Sequence, residues 1–312
     1  MGVRSDVSLA KNQGAGMQRE FTYLQSVAMV LLAAVMWSLM ALIIRFLGDA
    51  GTWQVLFYRS LGMIPVLVFV IWRRSDGKLL PRIRRAGLPG IIGGTGLAFA
   101  FAGAIYAIQA TSVANAVLLF AAAPLMTAVL AWAILKEPVR PATWVAIGLA
   151  SIGVFMMVRV GLTIGTGWGS IAALLSASGF AAFTITLRWG RLSDMLPAVL
   201  IGGVMSVLAA ATIVAIRGDS LALPIGSVVL AMLMGAILLG VGMAIYTAGS
   251  RAVDAAQLGL LTLAEVMLAP IWVWIFLGED ASKDTLIGGA ILLVAIAFNA
   301  ATGMRHRPPK LI

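Results

Sequence analysis

The 312-residue sequence has no cysteine and only one histidine. The absence of cysteine excludes a disulfide framework, a thiolate metal site and a cysteine nucleophile. The lone histidine, His306, stands among the last few residues, so no histidine-based zinc site or catalytic triad can form within the body of the chain. A Walker-type G-x-x-x-x-G-K-[ST] loop is also missing, and Gly94-Thr95-Gly96 lacks the third glycine and the strand context of a dinucleotide-binding turn. No metal or other cofactor is expected, and the chain does not read as an enzyme.

Charge is scarce as well. Charged residues make up 11% of the chain and hydrophobic ones 61%. A soluble domain of this length carries roughly a quarter charged residues. So little charge cannot cover a water-facing surface, and most of the exterior must face lipid. Residues 1–25 are polar and mildly basic, with no small-residue cleavage motif after the first apolar run, so they read as a cytoplasmic tail and not a signal peptide.

What the sequence has in abundance is long apolar runs. Ten of them, of roughly twenty residues each, span Ser26–Phe46, Trp53–Trp72, Leu88–Ile108, Asn115–Leu135, Thr143–Val160, Gly169–Leu187, Leu196–Ile216, Gly226–Thr247, Leu258–Leu277 and Thr285–Thr302. Lipid offers no partner to a free backbone group, and the runs are too long and too little alternating for barrel strands. The predicted fold is an all-α integral membrane protein.

One long segment occurs twice. Ala104 to Glu137 and Ala244 to Glu279 both open Ala-Ile-Tyr, pass a short polar break, then run about twenty apolar residues to a Trp and a Glu. Tyr106 aligns with Tyr246, and with the register shifted by two Trp132 aligns with Trp274 and Glu137 with Glu279. Two five-helix units follow, 26–160 and 169–303, joined by a glycine-rich linker at 161–168 and closed by a short tail at 304–312. Five crossings per unit is an odd number, so the second unit enters the membrane upside down. Such inverted repeats place a substrate site at the midplane between them and alternate its access by rocking.

Basic residues orient the chain. With both termini cytoplasmic, most of the 22 Lys and Arg lie inside, leaving Arg45, Arg59, Arg159, Arg217 and Lys283 for the other side. This asymmetry explains the net charge of +10 without nucleic acid. Anionic lipid is the partner expected for the dense basic loop Arg73–Arg85.

Among residues that carry chemistry, Glu265 is the only acidic residue near mid-span. A carboxylate at that depth avoids lipid and marks a functional site by default. Helical spacing puts Thr262, Ala269 and Trp272 on its face. The expected role is contact with a substrate amine or uptake of a proton; the alternative is a structural carboxyl bonded to backbone. The first and sixth spans align at an offset of 143, setting Trp37 against Phe180, Met40 against Phe183 and Arg45 against Arg188. Trp37 and Met40 on one stripe, and Ser176, Phe180 and Phe183 on the other, are candidates to line a pocket for flat or apolar side chains, or else ordinary helix packing. Tyr106 and Tyr246 are gate candidates or interfacial anchors. Pro124 and Pro270, with Gly94 and Gly240 in the glycine-rich third and eighth spans, are hinge candidates. Arg45 and Arg159 are expected to snorkel to headgroups, Arg59 lies deeper, about one and a half turns into the second span, and is either structural or faces the cavity mouth, and Glu137 and Glu279 are expected to cap or pack matched helix ends.

Ten spans in two halves, each ending Trp-x-x-x-x-Glu, resemble the EamA-type members of the drug/metabolite transporter superfamily. The segments carrying the likeness are Ala123-Pro124-Leu125 to Leu135-Lys136-Glu137 and Ala264-Glu265-Val266 to Leu277-Gly278-Glu279. Where that family commonly has Glu-Pro-Val, this chain has Val266 in place of the proline, with Pro270 four residues on. The resemblance, over residues 25–303, implies an inner-membrane carrier exporting amino acids or small metabolites. Members that move aromatic amino acids, nucleotide sugars and triose phosphates are all within its range; a separate alternative is an exporter of amphiphilic cations, for which Glu265 would supply the counter-charge.

Overall fold

The structure, a computed structural model, describes residues 22–163, 167–190, 194–250, 253 and 255–304. Both chain termini and part of the 161–168 linker lie outside these residues, as does Arg251. The described chain is helical: α1 (Tyr23–Phe46), α2 (Thr52–Arg74), α3 (Leu79–Ala110), α4 (Val113–Phe120), α5 (Ala123–Leu135), α6 (Pro141–Thr163), α7 (Gly167–Trp189), α8 (Leu196–Arg217), α9 (Ile225–Leu233), a π segment (Met234–Val241), α10 (Gly242–Gly249), α11 (Ala255–Leu277) and α12 (Lys283–Met304). Among the described residues nine helices are long and apolar enough to cross a membrane, counting α4 with α5 and α9 with α10. Leu261–Leu277 within α11 is a further apolar helix. The protein is an all-α integral membrane protein.

Three spans depart from straight rods. The fourth is expected as one helix but breaks at Ala121–Ala122. The cause is Pro124, whose ring clashes with the carbonyl four residues back. That carbonyl belongs to Phe120, the last residue of α4. Pro124 therefore stands in the first turn of α5, where a missing N–H costs nothing. The third span starts earlier than Leu88: helix begins at Leu79, and the turn onto the membrane is made at Gly87, with φ 51° and ψ −151°. Only glycine adopts that conformation readily. The basic stretch Arg73–Arg85 is thus not one loop, since Arg82, Arg84 and Arg85 ride on a helical segment ahead of the bend. The eighth span widens into the π segment between α9 and α10.

Packing follows close approach of small residues. α3 lies along α7 and α8, while the span from α9 to α10 lies along α1 and α2. α1 packs on α11, α7 packs on α4 and α5, α2 meets α8, and α6 meets α12. A methyl group added to Gly94 would stand 2.9 Å from the Gly202 amide nitrogen, and one added to Gly235 would run into the Arg59 carbonyl. Backbones this close have replaced side-chain interdigitation with van der Waals contact, the usual adhesive between helices in lipid. Large side chains such as Phe155, Ile216 and Val294 remain exposed on the outside, where lipid covers them.

Candidate functional site

α11 has two unlike faces. Met267, Ile271, Trp274 and Ile275 are exposed, whereas Val266, Ala269 and Val273 are buried. Glu265 is half-buried and shares its face with Ala269 and with Trp272. The Trp272 indole N–H donates to Ser38 Oγ on α1 at 2.9 Å. That bond turns Glu265's side of α11 toward the bundle. A carboxylate on this face can attract an ammonium or hold a proton.

α1 presents Trp37 one residue before Ser38. Its ring lies 5.2 Å from that of Tyr246 on α10, at a tilt of 44°. The indole nitrogen has no hydrogen-bond partner among the described residues and sits so close to Gly242 that a Cβ there would come within 2.6 Å. Glycine at the end of the π segment is what admits the Trp37 ring. Met40, one turn on, is a partly buried residue that touches both hydrophobic cores of the molecule.

The other expected residues are placed as follows. Ser176 is buried, and its hydroxyl donates to the Ala100 carbonyl at 2.7 Å, which ties α7 to α3. Phe183 is buried on the same interface, with Phe180 on the more exposed side at 5.8 Å between rings. Tyr106 is 43% exposed near the end of α3 and is not part of the Trp37–Tyr246 cluster. Pro270 lies inside α11, which continues through it as helix. Gly94 sits in a regular stretch of α3, and Gly240 sits in the π segment against Val66. π turns inside α-helices are frequent at functional sites.

Arg59 and Phe101 belong with this group; sequence reasoning placed Arg59 deep in the second span and did not single out Phe101. Arg59 on α2 is 3% exposed, and its guanidinium carbon lies 4.4 Å from the centre of the Phe101 ring on α3. Phe101, like Met40, touches both cores. No periodicity in either helix announces this pairing, because it is made across two elements.

Charge pairs close both ends of the bundle. Arg45 does not reach for headgroups. Its Nη2 donates to Glu279 Oε1 at 3.1 Å and to the Thr111 carbonyl at 2.8 Å, and its Nε lies 3.0 Å from Oε2 as an ion-pair contact off the hydrogen-bond line. Glu279 Oε1 also accepts from the Val113 amide at 2.7 Å. One carboxylate thereby joins α1, the end of α11 and the turn between α3 and α4. At the matched position, Arg188 Nη2 donates to Glu137 Oε2 at 2.6 Å. Each glutamate follows a helix C-cap in the left-handed conformation, Lys136 at φ 56° and Gly278 at φ 64°. Beside each lies a cleft, about 260 Å³ at Val113, Pro270, Trp274 and Glu279 and about 420 Å³ at Trp132, Lys136 and Glu137.

Comparison with known proteins agrees with this architecture. Residues 24–159 match the EamA-like transporter family. Over 288 residues the chain is 24% identical to human solute carrier family 35 member G1, covering 87% of this chain and 77% of that one. A solved crystal structure of a protein shares the fold with a TM-score of 0.63 at 20% identity, covering 90% of this chain and 99% of its own. The chain is thus a multi-pass membrane protein that is similar, over residues 24–159, to EamA-like transporters and, over most of its length, to a solute carrier.

Proposed function

We propose that this chain is a secondary carrier in the inner membrane, with both termini cytoplasmic, that exports amino acids, aromatic and other neutral ones included. Cargo passes through a central site between two inverted five-helix units, 26–160 and 169–303, whose access alternates between the two sides. Helix pairing supports the repeat: exchanging each span for its counterpart turns α3 on α7 into the α9–α10 span on α1, and α1 on α11 into α7 on α4 and α5. The pairs Arg45–Glu279 and Arg188–Glu137 exchange in the same way.

The observation that carries the substrate class is Glu265 on the face of α11 that it shares with Trp272, whose indole bonds to Ser38 next to the Trp37–Tyr246 ring pair. Carboxylate and rings together suit an ammonium group attached to a flat or apolar side chain. Those same features favour a second reading, export of amphiphilic cations. Phosphorylated metabolites and nucleotide sugars are disfavoured, since they call for several basic residues at mid-span.

Purified protein in liposomes loaded in turn with amino acids, amines and sugar phosphates, with and without a proton gradient, tests the reading. Efflux of neutral and aromatic amino acids is expected, reduced at least about 10-fold in Glu265→Gln, which corresponds to roughly 1.4 kcal/mol. Flux of sugar phosphates alone would overturn it.

A further inference from the structure

Arg59 is a buried cation to which the described residues supply no counter-ion. Among the described residues no carboxylate lies within ion-pair distance of it, and two of its donors, Nε and Nη2, are buried without a hydrogen-bond partner. The elements packed against α2 are α3, α8, α9 and the π segment, and none of the four contains an Asp or Glu. Rearranging these neighbours cannot bring an acidic side chain to the guanidinium. Leaving a buried charge uncompensated costs several kcal/mol. Its contact with Phe101 offsets only a part of that.

The geometry of the unmet donors is specific. Nε and Nη2 lie on the same edge of the guanidinium plane, the edge that takes the two oxygens of a carboxylate in parallel hydrogen bonds. The guanidinium carbon lies 4.4 Å from the centre of the Phe101 ring, and Phe101 offers that edge no acceptor. The backbone that carries it is held close, because α2 at Arg59 is pressed against Gly235 of the π segment, where any side chain would meet the Arg59 carbonyl. A guanidinium with two unmet donors on one edge suits a planar anion.

We propose that Arg59 receives the α-carboxylate of the transported amino acid in a two-pronged hydrogen bond. This rests on the amino-acid reading above and adds to it. Glu265 attracts the ammonium, Arg59 the carboxylate, and a zwitterion is accepted where the corresponding amine is not. A substrate able to satisfy a buried donor pair is separated from an analogue that cannot by far more than a methylene contact provides.

The test uses L-phenylalanine, its amide and phenethylamine as probes in liposomes carrying the wild type, Arg59→Lys or Arg59→Met. The wild type is expected to move phenylalanine about 100-fold faster than either probe lacking the carboxylate. Arg59→Met should lose about 100-fold for phenylalanine and less than about 3-fold for phenethylamine, erasing the preference. Arg59→Lys, a point charge without a fork, should fall between. Thermal unfolding separates recognition from folding. Phenylalanine should raise the midpoint of the wild type and not that of Arg59→Met, while the midpoint of Arg59→Met without ligand should be unchanged or higher, because a buried unpaired charge has gone. Undiminished phenylalanine preference in Arg59→Met, or a much lower midpoint without ligand, overturns the assignment. A wild type that moves phenethylamine and no amino acid overturns the amino-acid reading itself, and this assignment with it.

Discussion

The two ends of the bundle are closed by the same chemistry in different surroundings. At one end the Arg45 and Glu279 side chains are each 24% exposed and are bonded further to the Thr111 carbonyl and the Val113 amide. At the other end Arg188 and Glu137 are 50% and 39% exposed and, among the described residues, hold only each other. The first arrangement binds three elements through one carboxylate; the second joins two helix ends. An ion pair gains little where water competes and more where backbone groups share its charge. The contrast is between a shared and an unshared carboxylate, and it can be broken or sharpened by mutation.

The largest difference is expected from removing one carboxylate at each end. Glu279→Gln should lower stability by about 2 kcal/mol, since Arg45 loses its counter-charge and the Val113 amide a charged acceptor. Glu137→Gln should cost no more than about 0.5 kcal/mol. Thermal unfolding followed by tryptophan fluorescence checks both, and equal losses would erase the distinction. Exchanging the partners is the next test. Arg45→Glu with Glu279→Arg should stay about 1 kcal/mol below wild type, because an arginine cannot accept from the Val113 N–H. Arg188→Glu with Glu137→Arg should be nearly neutral in the same assay.

A smaller effect concerns the residues that aim the two glutamates. Both occupy the left-handed region, but one is Lys136 and the other Gly278. A side chain there costs about 1 kcal/mol. Gly278→Ala should therefore destabilise by about 1 kcal/mol, and Lys136→Gly should stabilise by about 0.5 kcal/mol after the entropy of the unfolded glycine is deducted. Smallest of all is the response to salt. Raising it toward 1 M, where the screening length is about 3 Å, should remove any coupling between Arg188 and Glu137 and leave most of that between Arg45 and Glu279.

The sequence made much of this readable and hid the rest for physical reasons. Apolar runs of membrane length are self-evident, and the repeated Trp and Glu matched Trp132 with Trp274 and Glu137 with Glu279 before any coordinates. The offset of 143 also set Arg45 against Arg188. Nothing in the chain joined those arginines to those glutamates, because the partners lie 234 and 51 residues apart. The break in the fourth span was legible as Pro124, and it falls just ahead of that residue because proline acts on the carbonyl four residues behind it. The π segment left no such mark beyond its glycines. Arg59 was legible as a basic residue deep in the second span; only tertiary packing shows Phe101 beside it and two of its donors with no acceptor.

The central claim is that the Arg45–Glu279 end must open for cargo to pass. Because the chain has no native cysteine, Ala114→Cys with Ala281→Cys gives the only two thiols, one on each wall of the cleft beside Glu279. Bridging them with a short bifunctional thiol reagent and measuring phenylalanine efflux from liposomes tests the claim directly. Transport should stop once the bridge is complete, while each single cysteine treated alike stays active. Quantitative bridging with undiminished efflux would contradict it.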